Sequence, residues 1–216
     1  MDAWLKKVGM ATAITVSLVN FSYSQAKKVD QSVEPPVQFT LKVDGKTFTG
    51  EIGKTFKLNG EFKDSSAKIS TSNFRNFNYE GVSFHYPVKH HWEADLSDPQ
   101  SKAWAMIGTE SSISLFVISE EYSAEDYAKE LIEDFDTETY DEKELKLKLG
   151  EQEFEVLRLI FEADEYEYVY DIVSLPQQNG NSRLLLLEDV APDRNPDSEE
   201  AKAVMSLLKK SFKIEK

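Results

Sequence analysis

The chain has 216 residues, 40% of them apolar and 12% aromatic, with a formal charge of -14 and no cysteine. That length suits one ordinary domain with a small companion, and the aromatic content suits a packed core rather than a disordered chain. The acidity argues against nucleic acid as a partner, and the missing cysteine excludes disulfide scaffolds, cysteine metal sites, thiol catalysis and a lipoprotein anchor.

Residues 1–24 have the order of an export signal peptide. Lys6 and Lys7 form the positive region, and Val8 to Phe21 is an apolar stretch of 14 residues. Ser22-Tyr23-Ser24 then puts small residues at the cleavage positions before Gln25, with a cut after Ala26 as the alternative. The stretch falls short of the roughly 20 residues that span a bilayer, and no later run reaches that length. The expected mature protein is therefore exported and soluble, in the periplasm or outside the cell, with no transmembrane segment after signal removal. Residues 25–36 read as a linker ending in Pro35-Pro36, a pair that favours extended chain.

Residues 37–73 predict a small β-meander extension. Phe39, Leu41 and Val43 alternate into the turn signal Asp44-Gly45, and Phe56 and Leu58 run into a second, Asn59-Gly60, followed by Phe62 and Ile69. A piece this small needs a neighbour to pack against. Gly45-Lys46-Thr47 and Gly53-Lys54-Thr55 match the end of a phosphate loop, but Thr40 and Phe48 stand where its first glycine belongs, so hairpin strands are the expected reading. Ser65 to Asn78 is polar and turn-rich and predicts a protease-sensitive boundary.

Charge divides unevenly along the chain. Residues 25–78 hold 9 basic and 6 acidic side chains, whereas residues 79–216 hold 14 basic and 32 acidic ones. Beyond Tyr79 the elements follow one another clearly. Val82, Phe84 and Tyr86 alternate as a strand that Pro87 stops, and Ala103–Gly108 and Ile113–Ile118 form the next pair. Ser123 caps a helix whose Tyr127, Ala128, Leu131, Ile132 and Phe135 recur at helical spacing. Leu145, Leu147 and Leu149 alternate up to Gly150; Phe154–Phe161 and Tyr166–Val173 are two further strands. Leu184–Leu187 reads as a central buried strand, and Asp197 with Glu200 makes a capping box for the last helix.

The run Tyr79-Glu80-Gly81-Val82-Ser83-Phe84-His85-Tyr86-Pro87 followed by Trp92, the helix start Ser123-Ala124-Glu125-Asp126-Tyr127-Ala128 and the ending Leu207-Leu208-Lys209-Lys210-Ser211-Phe212 resemble the PsbP-like superfamily. The resemblance covers about residues 74–216. It implies an α+β fold, an antiparallel β-sheet sandwiched by helices (PsbP-like α/β/α), with the small β-extension in front. Its better-known members act as binding or assembly factors, so it implies a non-enzyme working on an envelope partner. It carries no shared catalytic set.

Sites read from the residues are sparse. Ser83 and His85 share a strand face and could pair as a hydrolase, although the run lacks the final glycine of a nucleophile elbow. His90 and His91 lie in an expected polar loop after Pro87, without the convergent ligands of a metal site. Asp134, Asp136 and Glu138, and again Asp193, Asn195 and Asp197, begin like calcium loops but lack the later Gly and Glu. No cofactor or metal is expected. Tyr166, Tyr168 and Tyr170 line one strand face, which could stack a sugar or hold a partner, and equally could lie beneath a helix. The partner expected is an unknown protein, a basic one where the acidic cluster steers it, met by Glu133, Asp134, Asp136 and Glu138 with that tyrosine strip. The alternative is a carrier of a sugar or ion.

Overall fold

The computed structural model describes residues 30–55, 58, 66–163, 166–191 and 197–215. The expected signal peptide, the start of the linker, the Asn59-Gly60 turn and Asp193 and Asn195 lie outside them.

Three short strands come first: β1 (Gln38–Val43), β2 (Lys46–Glu51) and β3 (Ala67–Thr71), antiparallel in the order β2-β1-β3. Asp44 and Gly45 make the β1–β2 turn with φ of 49° and 75°, the left-handed values a two-residue hairpin demands. The hairpin β4 (Phe74–Tyr79) and β5 (Val82–Pro87), with β13 (Lys213–Ile214), forms a second small sheet. The described part of the segment 65–78, expected to be a turn-rich boundary, thus holds β3 and all but the last residue of β4.

The body is a seven-stranded antiparallel sheet in the order β6-β7-β8-β12-β11-β10-β9. Its strands are β6 (His91–Asp98), β7 (Ser101–Ile107), β8 (Ser111–Ile118), β9 (Tyr140–Leu149), β10 (Gln152–Ala163), β11 (Tyr166–Gln178) and β12 (Asn181–Ala191). The most apolar runs, in β8 and β12, pair with each other at the middle of the sheet, Leu185 opposite Leu115. The charged β9 takes one edge, where lysine and glutamate discourage pairing with a second chain.

Two helices accompany the sheet. α1 (Ala124–Asp134) starts at Ser123, whose hydroxyl accepts from the Asp126 amide while the Asp126 carboxylate accepts from the Ser123 amide. α2 (Glu199–Ser211) is capped by Ser198 rather than by Asp197, its hydroxyl accepting from the Ala201 amide. Glu200 closes no capping box. Its Oε2 instead accepts from the amides of Glu110 and Ser111 and ties α2 to the β7–β8 turn.

The core lies on both faces of the large sheet. On one, Tyr127, Ala128 and Leu131 of α1 cover Phe116, Leu159, Ile172 and Leu186. On the other, Val204 and Leu208 of α2 and Phe77, Val82 and Phe84 of the small sheet cover Trp104, Leu115, Val173 and Leu185. The expectation of a sheet sandwiched by helices is therefore wrong: the fold is β-rich, with three antiparallel sheets and two short helices among the described residues. The reason is width. Seven strands at about 4.8 Å spacing make a surface near 30 Å across, and one helix covers about 10 Å of it. Strands complete the second layer.

The linker is also more than a tether. Residues 31–35 lie across β4, β6 and β7, where Trp104 and Trp92 donate to the carbonyls of Gln31 and Ser32.

Candidate functional site

The expected partner residues fall into two chain segments that the fold brings to one corner. Glu133 and Asp134 end α1, and Asp136 and Glu138 follow in the loop to β9; all four are exposed. Phe135, the C-cap residue, turns inward, its ring centroid 4.8 Å from that of Phe161 and 5.0 Å from that of Tyr168. This one aromatic anchor sets the acidic loop over the β10–β11 end of the sheet. Asp136 sits at φ 49°, the turn that lets the chain leave the helix.

The tyrosine strip splits along its length. Tyr170 is buried, and its hydroxyl donates to Glu188 Oε1 at 2.8 Å, while Ser112 Oγ donates to Glu188 Oε2 at 2.6 Å. Burial first, and then the Glu188 charge, hold the Tyr170 phenol protonated far above its ordinary range. Tyr168 is half-buried beside Phe161, whose ring also stacks on Tyr170, the three rings nearly parallel. Only Tyr166 is open, 45% exposed, and Tyr140 beside Phe161 in the register is open as well, at 49%. No continuous face for stacking a sugar remains, because the Tyr170 end is buried with α1 and Phe135 packs on Tyr168. Tyr140 carries no mark in the sequence beyond starting β9; its place came from the β9–β10 register, which residue types alone do not set.

The other candidates are used elsewhere. Ser83 pairs in register with Asn78 and Lys213, and the His85 ring stacks on Phe74 at 4.0 Å. Burial and then Lys213 lower the His85 pKa. No hydrogen bond joins His85 to Ser83. His90 lies in the loop after Pro87 as expected but is buried there, and neither ring nitrogen has a partner among the described residues; His91 begins β6 in the open. Desolvation keeps His90 neutral, opposed by the charge of Glu200. Among the described residues no three His, Asp or Glu side chains converge as a metal site would require. No helix among them is long and apolar enough to cross a membrane.

No family model matches the chain, and no curated protein does. Among solved structures it is similar to a protein from Bacteroides thetaiotaomicron at 12% identity and a TM-score of 0.38, over 67% of this chain. The chain matches half of that protein's length, and the likeness is too slight to carry an argument about function.

Proposed function

We propose that the protein is an exported, non-catalytic binding factor that docks a basic partner at the α1 corner. The observation that carries this is the union of two open tyrosines, Tyr140 and Tyr166, with four open carboxylates, Glu133, Asp134, Asp136 and Glu138, around the Phe135 anchor. Tyrosine offers wide contact area with little side-chain entropy to lose, and its ring face attracts Arg and Lys. The carboxylates steer such a partner and raise its rate of encounter. The helix itself gains nothing from them: α1 has no basic residue in its last turn, where the dipole favours one. The PsbP-like resemblance supports the reading through the binding and assembly roles of that superfamily, not through its layer plan.

The test begins with the full chain as bait in the native envelope fraction. Tyr140→Ser with Tyr166→Ser should reduce capture of the retained partner at least tenfold, while circular dichroism stays unchanged. Capture at wild-type level would remove the corner from the account.

A further inference from the structure

A second recognition surface lies on the opposite side of the sheet, and the chain itself occupies it. Four side-chain donors read the backbone carbonyls of the linker almost in succession. Trp104 Nε1 donates to Gln31 O at 2.9 Å, Trp92 Nε1 to Ser32 O at 3.0 Å, the Tyr79 hydroxyl to Val33 O at 3.1 Å and Arg75 Nη1 to Pro35 O at 2.8 Å. The same Arg75 guanidinium nitrogen, Nη1, also meets Glu34 Oε2 at 2.9 Å. Pro35 is buried, whereas Ser32, Val33 and Pro36 face solvent. Ser32 and Val33 sit in a turn closed by the Val33 amide donating to Asp30 O, and Glu34-Pro35-Pro36 lead the chain out of it. Indole and tyrosine donors beside a proline pair are elements by which aromatic grooves hold proline-bearing peptides. Because the groove takes carbonyls and one acid–proline pair, it reads little of the side-chain sequence.

The resident segment is an incomplete ligand. Arg75 Nε and the Tyr86 hydroxyl are both buried at this place without a partner among the described residues. Tyr86 stands opposite Arg75 in the β4–β5 register, and its ring stacks on Trp92 at 6.2 Å. Buried donors are nearly always satisfied, so two orphans in one groove mark acceptors that the resident does not supply. Burial first, and then the charge of Glu34, raise the Tyr86 phenol far above its ordinary range. A carboxylate seated deeper than that of Glu34 would accept from Arg75 Nε and Tyr86 together.

We infer that the groove of Arg75, Tyr79, Tyr86, Trp92 and Trp104 is a peptide receptor held closed in cis by residues 31–35, and that its exchange ligand is an acidic–proline segment of another protein. Arg75 selects the acid and the indoles hold the backbone. Tethering raises the resident's effective concentration to about millimolar, so a competitor of similar affinity enters only when the segment lifts away. Lifting breaks these four hydrogen bonds and the Arg75–Glu34 pair and uncovers Pro35 and Trp104, so the closed form dominates until a competitor supplies equivalent contacts.

The test uses the full chain with Glu34→Lys and Pro35→Gly, which disturb the resident and leave every groove residue in place. A synthetic peptide of residues 31–37 should bind this variant, read by calorimetry and by tryptophan emission, at least tenfold more tightly than the wild type. The same peptide with Glu34→Gln should bind several-fold more weakly, because it lacks the charge-assisted contact. A folded variant that ignores the peptide overturns the inference; so does one that dimerises instead, since the occupant is then a second copy. Should the variant fail to fold, hydrogen exchange on the wild type decides: added peptide should speed exchange of residues 30–37 if they are displaced, and unchanged exchange contradicts displacement.

Discussion

The two faces of the seven-stranded sheet are closed in different ways. α1, 11 residues long, crosses one face and spans about 16 Å, while the strands beneath it, β10 and β11, run 12 and 13 residues, or about 40 Å. Its buried stripe ends at Leu131, and past Phe135 the surface passes to carboxylates and open tyrosines. The other face is closed by α2, by the β4–β5 hairpin and by residues 31–35 along the edges of β4 and β6. Phe77, Phe84 and Trp104 are there almost wholly removed from water. Where the cover is shorter than the sheet, the chain leaves a surface able to meet a partner. Where cover runs out on the second face, the chain supplies its own backbone.

Mutations should separate the faces. Phe84, stacked on Phe77 at 4.6 Å, should cost about 3–5 kcal/mol as Phe84→Ala, and Leu131→Ala beneath α1 about 2–3 kcal/mol, both by urea unfolding. A larger loss at Leu131 would reverse the comparison. Gly150 sits at φ 57°, and a Cβ there would lie 2.1 Å from the Phe212 carbonyl oxygen at the end of α2. Gly150→Ala should accordingly cost at least about 2 kcal/mol, from backbone strain and from pushing α2 off the second face. Wild-type stability would show that α2 is free to shift there.

Acid should act on the second face too. His90 is buried there near Glu200 of α2, and its folded pKa lies below the ordinary histidine value. The unfolded chain takes up a proton near pH 6.5 that the folded one refuses, so stability is full above that pH and declines below it, by at most about 1.4 kcal/mol per pH unit. His90→Asn should flatten that slope between about pH 6.5 and 5.5. A slope equal to the wild type's would assign it to other groups.

Hairpins, caps and alternation were legible because each depends on neighbours in the chain. Asp44-Gly45, Ser123 and the Leu145–Leu149 alternation all stand where the sequence places them. Long-range choices were not legible. Glu200 has the spacing of a capping box, yet it serves the β7–β8 turn, a partner about 90 residues away in the chain. His90 looks polar in sequence, and only the facing layer makes it interior. The linker showed its extended proline pair, but its docking depends on indoles whose hydrogen-bond partners residue types do not reveal. The acidic loop and the tyrosine strip were each visible; Phe135, which joins them, reads only as the last apolar residue of a helix. Layer count failed for a related reason: alternation marks a strand without saying which sheet it enters.

The smallest effect on stability should come from the corner itself. Glu133→Lys and Asp134→Lys reverse charges at the α1 C-terminus, so each should raise stability slightly, by about 0.3–1 kcal/mol, in thermal unfolding. A loss of that size would mean that the carboxylates serve the fold.

The most direct measurement is the association rate of the captured partner with the full chain at low salt, about 20 mM, and at about 150 mM, where screening reaches within about 8 Å. The wild type should associate markedly faster at low salt. The variant carrying Glu133→Lys, Asp134→Lys, Asp136→Lys and Glu138→Lys should associate slowly at both, with little dependence on salt. An on-rate that is the same in both proteins at both salts would contradict the account and leave the acidity of the corner to solubility alone.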